Sequence, residues 1–434
     1  MTAFAFIVAT LFPRTQDPQE EKNVPEDWSL HAQGTVVTQE HGAFPSSYSG
    51  PHSFSDRHER ATSMTGTLFL GRRLWTGAAL YMDPEVAGGE GLSRTLGVAG
   101  FPNGETTRVA KTTPTPYLAR LYVEQSFALS DQLEPVDAGP NQLGGKECPS
   151  RLTLTAGKVA ALDFFDANRY SHDPRTQFMN WALMADGAWD YPADTRGYTW
   201  GAAVELIDPE WALRYGLFAM PRSANGMVID TAFPNAHAQA LELEKSVHVL
   251  PIAGKVRLLG FVNNADMGHY RATIDDPSLA MDVTRSRRAD SVKFGFGANA
   301  EQPITEDFGA FARVGWNDGR TESFAFTEID RTAQVGLSAR GAWWDRPSDT
   351  VGLAAVVNGL SPDHESYLRR GGLGFILGDG RLNYGPEAIL ETYYAAKFKD
   401  VLSVSFDYQL IEHPGYNRDR GPVSVFAIRV HVDF

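Results

Sequence analysis

Charged side chains recur in the middle of segments that otherwise alternate apolar with small residues along this chain of 434 residues. At such positions Arg and carboxylate groups can form strong hydrogen bonds with a polar solute, or they can pair with one another across neighbouring segments. The alternation places these side chains on one face of their segments: Glu85, Arg120, Glu124, Arg214, Arg313, Arg340, Glu391, Asp407 and Arg429. Asp166 and Arg169 join the set because they begin the longest connection between segments. All are candidate solute-contacting residues, and bracing by ion pairs is the alternative role for each of them.

No arrangement of side chains typical of catalysis accompanies these charges. The sequence shows no Ser/His/Asp, paired-carboxylate or Cys/His set, and the Gly-rich stretch "RRGGLGFILGDGR" lacks the spacing and the strand–helix context of a phosphate loop. The single cysteine, Cys148, excludes an internal disulfide and argues against a thiolate metal site. We therefore predict that the protein is not an enzyme and that it binds no cofactor and no metal.

Composition and the N-terminal residues restrict the class of protein further. The formal net charge of −14, from 39 basic and 53 acidic residues, argues against a nucleic-acid partner. The sequence contains no run of about 18 or more apolar residues, so it predicts no membrane-spanning helix. The apolar stretch from Ala3 to Phe12 and the charged tail after it predict that residues 1–27 are the remnant of an export signal and an N-terminal periplasmic tail, with an ordinary apolar tail as the alternative. No linker or repeat divides residues 28–434, which we expect to form a single domain.

From Trp28 onward, the chain is a series of short segments with a period of two, which is the period of a β-strand whose faces meet different surroundings. In "YLARLYVEQSFAL", for example, Leu121 and Val123 oppose Arg120 and Glu124. The chain contains about 16 such segments, each close to the roughly 9–11 residues that a tilted transmembrane strand needs. The last segment, "VSVFAIRVHVDF", runs to the final residue without a polar tail.

Long and short connections alternate between these segments. The long connections include 160–196, 264–289 and 358–386, and the short ones include "QPITE" and "WDRPS". This alternation predicts an all-β fold, a transmembrane antiparallel up-and-down β-barrel with short periplasmic turns and long extracellular loops. Charge in the middle of a strand is costly against lipid, so the charged faces must line an aqueous lumen. One connection, "DQLEPVDAGPNQLGGKECPS", is long where a short turn is expected.

Two of the long connections are predicted to contain helices. In "SHDPRTQFMNWAL", Asp173 is the expected N-cap and Pro174 occupies the first helical position. In "SPDHESYLRRGG", Ser361 is the expected N-cap and Gly371 the C-cap. The first of these helices belongs to the longest connection, 161–196, which we expect to fold into the lumen and narrow it, because loops of that length seldom lack structure of their own.

Several stretches taken together resemble the carbohydrate-selective porins of the OprB-type family: "YSGPHSF", "LSRTLGVAGFPNGE", "DFFDANRYSHDPRTQFMNWAL", "GDGRLNYGPEAILETYYA" and "YNRDRGPVSVFAIRVHVDF". The likeness runs from about Trp28 to Phe434. It implies a bacterial outer-membrane barrel of 16 strands that passes sugars by facilitated diffusion. The terminal Phe434 resembles the signal by which the barrel-assembly machinery recognises such proteins. The weak N-terminal export signal is the one departure from the family pattern.

The sequence therefore predicts a passive channel for mono- or small oligosaccharides in the outer membrane of a Gram-negative bacterium, reached by export through the periplasm. Its expected partners are the sugars, the lipid of the outer membrane and the barrel-assembly machinery. A polysaccharide export pore, a channel for another small polar solute, and an outer-membrane adhesin or enzyme are the alternatives. Both a monomer and a homotrimer are compatible with the sequence.

Overall fold

The chain forms a closed β-barrel. The computed structural model describes residues 25–106 and 112–434, and over these residues sixteen antiparallel strands close on themselves while a small hairpin forms a separate sheet. The expected export signal, within residues 1–24, lies outside the described residues. In the described part of the chain, no helix has the length and apolar character needed to cross a membrane.

The barrel strands follow one another in chain order around the sheet. They are β1 (Trp28–His41), β2 (Glu59–Trp75), β3 (Ala78–Gly89), β4 (Thr115–Ala128), β7 (Arg151–Val159), β8 (Thr199–Asp208), β9 (Trp211–Ala219), β10 (His237–Val247), β11 (Gly254–Met267), β12 (Arg288–Pro303), β13 (Phe308–Asn317), β14 (Arg331–Gly341), β15 (Arg346–Gly359), β16 (Glu387–Phe398), β17 (Leu402–Glu412) and β18 (Val423–Asp433). The separate hairpin consists of β5 (Glu134–Val136) and β6 (Gly145–Glu147). The α-helices of the described residues are α1 (Trp181–Met184), α2 (Tyr270–Asp275) and α3 (Pro362–Arg369).

Each barrel strand separates an inward face from an apolar outward face. On β18, Phe426 is 55% exposed and Ile428 is 48% exposed, whereas Arg429 is fully buried. Such an outward apolar belt suits lipid, and inward charge avoids the cost of placing an ion in hydrocarbon. The structure thus confirms the period of two that the sequence shows.

The first and last strands close the barrel. β1 pairs with β18 in antiparallel register, and Thr35 lies opposite His431. The Thr35 hydroxyl and the His431 Nδ1 are 2.8 Å apart on the inward side of this seam. At its end, the backbone N–H groups of Ala32 and Phe434 each donate to the other residue's carbonyl, at 3.1 and 2.9 Å. No strand of the barrel is left with a free edge, which is the condition for β-structure in a membrane.

The connections between the described strands sort by length onto the two ends of the barrel. At one end, here called the loop end, eight connections have ten to 39 residues. At the other, the turn end, where Trp28 and Phe434 also lie, six of the seven connections have only two to six residues. The exception is the connection of 22 residues from Leu129 to Ser150, which carries β5 and β6.

The longest connection, 160–198, is here called the inward loop because it lies inside the barrel. Its residues bond to inward-facing side chains of the opposite wall: Glu391 of β16 accepts from the backbone N–H groups of Met179 and Asn180 at 2.5 and 3.0 Å. Arg429 of β18 donates to the carbonyl of Pro174 at 2.7 Å. The inward course of this loop agrees with the expectation from its length.

The helix predicted at Asp173 is wrong. Asp173 caps a turn instead, with its carboxylate accepting from the Arg175 N–H at 3.0 Å and from the Thr176 hydroxyl at 2.8 Å. One turn forms, since the N–H groups of Thr176 and Gln177 donate to the Asp173 carbonyl at 3.2 and 2.9 Å. The helix does not continue because the backbone beyond this turn bonds to barrel side chains, the Gln177 carbonyl to Arg429 and the Met179 N–H to Glu391. The α-helix of the inward loop is the short α1, whose N-cap Asn180 accepts from the Ala182 N–H.

The second predicted helix is confirmed. Ser361 caps α3, its hydroxyl accepting from the His364 N–H at 3.1 Å, and Pro362 is the first helical residue. Gly371, just beyond the helix, has a φ of +91°, a conformation that glycine adopts without a steric cost.

Candidate functional site

The inward loop leaves a cavity of about 510 Å³ against strands β2, β3 and β4. Charged groups and aromatic rings alternate on its walls. These groups include Glu105, Tyr117, Arg120, Asp163, Arg175 and Arg196. Tyr117 and Arg120 of β4 face inward on either side of an irregularity in the pairing of β4 with β3. Glu105 lies in the connection between β3 and β4, and the other three residues belong to the inward loop.

Arg120, in the middle of β4, faces this cavity. Its Nε and Nη2 donate to the two carboxylate oxygens of Asp163 at 2.7 and 2.6 Å, a two-pronged pairing that fixes the plane of the guanidinium. Its Nη1 lies 3.3 Å from a carboxylate oxygen of Asp83 on β3. The guanidinium carbon also stands 5.2 Å from the centre of the Tyr198 ring.

Arg175 reaches the same cavity from the inward loop. It pairs with Glu105 at 3.0 Å and with Glu85 at 3.3 Å. Burial opposes the charged form, but these carboxylates outweigh it and raise the pKa of the Arg175 guanidinium above its ordinary value. Arg175 is therefore a permanent cation that joins the inward loop to the wall.

Glu85 helps to hold the inward loop against the barrel wall and contributes little to the open part of the cavity. Its side chain accepts from the Thr67 hydroxyl at 2.5 Å and also from the Tyr117 hydroxyl, and the Tyr198 hydroxyl lies 3.3 Å away. The residue is 4% exposed. A carboxylate with that many partners and so little exposure is an anchor for the tyrosines and for Arg175.

Arg196 provides a third guanidinium on the wall of the cavity. Its guanidinium carbon lies 3.9 Å from the centre of the Tyr117 ring, within the range of a cation–π contact. It forms no ion pair with the described residues, in contrast to Arg120 and Arg175. Its donors are therefore available to a molecule in the cavity.

A second group of the predicted residues holds the inward loop in place. Arg313 of β13 is 1% exposed, and its Nε donates to Asp166 at 3.0 Å. Its Nη atoms donate to the carbonyls of Ser171 and Leu183 at 2.6 and 3.1 Å. Three loop residues are thus bonded to one guanidinium, and Asp166 and Arg313 face this joint instead of an open channel.

The opposite wall contributes the same kind of contact. Glu391 and Arg429 bond to the inward loop as described above, and Arg429 also donates to the Gln177 carbonyl at 2.7 Å. Asp407, on β17, is 5% exposed and accepts from Gln409 at 3.1 Å. The structure therefore brings these predicted residues together around the loop and away from the cavity.

The remaining predicted residues lie nearer the turn end. Arg214 pairs with Glu205, Glu242 and Glu244 at 2.9–3.2 Å across β8, β9 and β10, and thus braces the wall. Glu124 is half-buried on the inward side of β4. Arg169 and Arg340 are exposed and line a smaller cleft of about 220 Å³.

A sequence model described as the carbohydrate-selective porin, OprB family, matches residues 67–434. The chain belongs to this family. No curated protein sequence matches it. Among solved structures, that of Pseudomonas putida OprB at high pH is similar with a TM-score of 0.72, at 17% identity over 94% of both chains. The outer-membrane channel DcaP of Acinetobacter baumannii gives a TM-score of 0.51, at 10% identity over 94% of this chain and 97% of that one.

Family membership and the closed barrel of sixteen strands confirm the function expected from the sequence. The protein is a sugar-selective channel of the Gram-negative outer membrane, and its family and fold are those of a channel and not of an enzyme. In the parts of the porin that the structure describes, no cluster of three or more His, Cys, Asp or Glu residues could hold a metal ion.

The inward loop of this porin needs glycines on the wall behind it. Gly297 of β12 and Gly315 of β13 lie opposite each other, and a Cβ atom at either would overlap the carboxylate of Asp186. Burial, together with the nearby Asp166 carboxylate, raises the pKa of Asp186 to about 7. The fit of the loop against the wall is therefore tight and sensitive to the charge on Asp186.

Several cavity residues of the porin could not be predicted from the sequence pattern. Glu105, Arg175 and Arg196 belong to loops, where no alternation tells which side chains point inward. Tyr117 belongs to β4, but an irregularity in the pairing opposite Asp83 and Pro84 lets Tyr117 and Arg120 both bond inward although they are three residues apart. Arg175 lies in the stretch "SHDPRTQF", and the high density of polar groups there was the one sequence feature that could have indicated a residue of the cavity.

Proposed function

We propose that mono- or small oligosaccharides cross this porin passively through the cavity of about 510 Å³, in contact with Arg120, Arg175 and Arg196. The observation that supports this most strongly is the pairing of guanidinium groups with aromatic rings in one aqueous space, at Arg120 with Tyr198 and at Arg196 with Tyr117. A sugar carries hydroxyls around flat C–H faces. Charged donors bond to the hydroxyls, and ring surfaces cover the C–H faces.

The arrangement of the carboxylates supports the same route. Asp163 and Glu105 accept hydrogen bonds from the arginines beside them and retain lone pairs toward the cavity. A sugar hydroxyl can therefore donate to a carboxylate and accept from the neighbouring guanidinium. Because Arg120 and Arg175 are already held by carboxylates, these two side chains lose little entropy when a sugar binds.

The anchored inward loop favours a small solute over a polymer. Arg313 and Glu391 bind this loop from different sides of the barrel. A polysaccharide export pore would require the lumen that the loop occupies. A channel for another small polar solute is the alternative that the cavity chemistry leaves, and it is separated from the sugar channel by the experiment below.

The membrane arrangement belongs to the same proposal. The loop end faces the cell exterior and the turn end faces the periplasm. Residues 1–27 are the remnant of an export signal and an N-terminal periplasmic tail, and the barrel-assembly machinery recognises the strand that ends in Phe434. The outward apolar belt meets outer-membrane lipid, and the functional unit is a monomer or a homotrimer. The support for this orientation is the sorting of long and short connections onto opposite ends.

The proposal is tested by sugar block of the ion current in planar bilayers, with liposome swelling as the measure of passage. Arg196→Gln removes a guanidinium without leaving a buried carboxylate unpaired, and we expect the half-blocking sugar concentration to rise by about 10-fold, the loss of a charged hydrogen bond. Arg120→Gln should act in the same direction. Arg222→Gln, which removes an exposed arginine outside the cavity, and Leu121→Ala, on the outward face, are the controls. Equal effects of all four variants contradict the route, and failure of sugars to block or pass the wild-type protein contradicts the sugar channel.

A further inference from the structure

The connection from Leu129 to Ser150 is unusual among the turn-end connections of the described strands, because it is long and has a hairpin of its own. Here it is called the turn-end hairpin. In β5 and β6, Glu134 lies opposite Glu147 and Val136 lies opposite Gly145. The tip between these strands is closed by a pair of backbone hydrogen bonds between Gly139 and Gln142, both 3.0 Å long. Such a stable local structure is not needed to connect two neighbouring antiparallel strands.

The tip of the turn-end hairpin enters the lumen. Leu143 is 9% exposed and belongs to the same buried cluster as Tyr81 and Tyr122. These tyrosines lie opposite each other on β3 and β4, with their ring centres 5.2 Å apart, and are 4% and 9% exposed. Inward-facing tyrosines would meet water in an open barrel, so their burial follows from the fill that the hairpin provides.

The hairpin is also tied to the start of the barrel, at Gly144 beside the tip. The Glu26 N–H donates to the Gly144 carbonyl at 3.0 Å, and the Gly144 N–H donates to the Glu26 carboxylate at 2.9 Å. The Nε atom of Arg73, near the end of β2, donates to the Glu26 carbonyl at 2.9 Å. The hairpin is therefore held by Glu26, which precedes β1, as well as by the tyrosines of β3 and β4.

A chain of polar contacts leads from the tip to the sugar cavity. Asn141 Nδ2 donates to Asp83 Oδ2 at 2.9 Å, and Asp83 is fully buried on the inward face of β3. The same oxygen lies 3.3 Å from Arg120 Nη1. Arg120 in turn holds Asp163, at the start of the inward loop, through two hydrogen bonds.

From this chain we infer that the turn-end hairpin is a plug that narrows the turn end of the channel, and that Asn141 is the positioning residue of Arg120. The inference deepens the proposed sugar route and rests on it. Asn141 fixes Asp83 Oδ2, the acceptor shared with Arg120, and so fixes the angle at which Arg120 meets a sugar. The turn-end hairpin thereby sets both the affinity for the sugar and the width of the channel at the turn end.

The side-chain test uses Asn141→Gly. Asn141 has a φ of +56°, where alanine would be strained and glycine is not, so the variant removes only the side chain. We expect the half-blocking sugar concentration to rise about 3–10-fold, since one hydrogen bond of the relay is lost. Gln142→Ala is the matched control, because the Gln142 side chain bonds within the hairpin, to the Asp137 carbonyl. Its expected effect is less than about 2-fold.

A double-mutant cycle distinguishes positioning from a general structural role. In an Arg120→Gln background, Asn141→Gly should have no further effect on sugar block, because its target is gone. An effect of Asn141→Gly that persists in that background, or one no larger than that of Gln142→Ala, overturns the positioning role.

The plug is tested separately by replacing residues 138–143 with two glycines, which keeps β5 and β6. We expect ion conductance to increase by about 1.5-fold or more, since the exit widens. Unchanged conductance overturns the plug. The conductance measurement needs no sugar, so it tests the plug even if the wild-type channel does not pass sugars. Failure of the wild type to pass sugars would contradict the proposed function and not the plug.

Discussion

Removal of the Arg313 guanidinium should release the inward loop. Arg313→Met keeps the length of the side chain and eliminates its donors. It leaves Asp166, 3% exposed, without its cationic partner, and the carbonyls of Ser171 and Leu183 without the donor that Arg313 supplied. Breaking a buried ion pair costs about 3–5 kcal/mol, and each stranded carbonyl adds about 1–3 kcal/mol.

The effect on the channel follows from these magnitudes. Water in the lumen will replace part of what is lost, so we take about 4 kcal/mol, the middle of the ion-pair range alone. That free energy multiplies the population of the displaced loop by about 10³. We expect single-channel recordings of Arg313→Met to show frequent transitions to larger conductance levels and a loss of sugar block, because a displaced loop opens the lumen.

Arg214→Met is the matched control for this experiment. Arg214 is also an inward-facing arginine, and its carboxylate partners Glu205, Glu242 and Glu244 are on the barrel wall. Arg214 itself donates to no group of the inward loop, although Glu242 accepts from the Asp166 N–H at 2.7 Å. It should therefore change conductance without adding new levels. Arg313→Lys keeps a charge and should give an intermediate result. Recordings in which Arg313→Met matches Arg214→Met in level and noise would refute the view that Arg313 anchors the loop.

Two further predictions concern stability and assembly. Because the folded-state pKa of Asp186 is raised to about 7 from an ordinary value near 3.8, the folded protein binds a proton that the unfolded chain has lost, and its stability falls as the pH rises from about 4 to 7. The melting temperature of the detergent-solubilised protein should therefore drop more between pH 5 and 8 for the wild type than for Asp186→Asn. Identical melting profiles of the two proteins would contradict the raised pKa of Asp186. Phe434→Ala retains the backbone bonds to Ala32, so the heat resistance of the folded barrel should be unchanged while its yield in the outer membrane falls, and an unreduced yield argues against recognition of Phe434 by the assembly machinery.

The sequence anticipated the barrel more reliably than the site. A strand exposes alternate residues to different surroundings, so Phe426 and Arg429 could be assigned to opposite faces from spacing alone. Caps are equally local, and for this reason the helix at Ser361 was found. The helix expected at Asp173 failed because Glu391 and Arg429, far away in the chain, bond to the backbone near it.

The same difference between local and distant contacts explains the candidate residues. Alternation placed Arg120 and Arg313 on the inward face, and both are there. It could not tell that Arg120 meets an open cavity whereas Arg313 is covered by the loop, because that depends on the course of residues 160–198. Arg196 was missed for the same reason, since a loop has no fixed side-chain period.

By itself the sequence indicated about 16 strands, a closed sheet, and which face of each strand is polar. These properties follow from a period of two and from the cost of charge in lipid. The tertiary structure alone decided which inward charges brace and which remain open to solute. That choice depends on contacts between residues distant in the chain, such as Arg175 with Glu85 and Asn141 with Asp83. A hydrogen bond needs two groups within about 3 Å, and only the folded path of the chain brings such groups together.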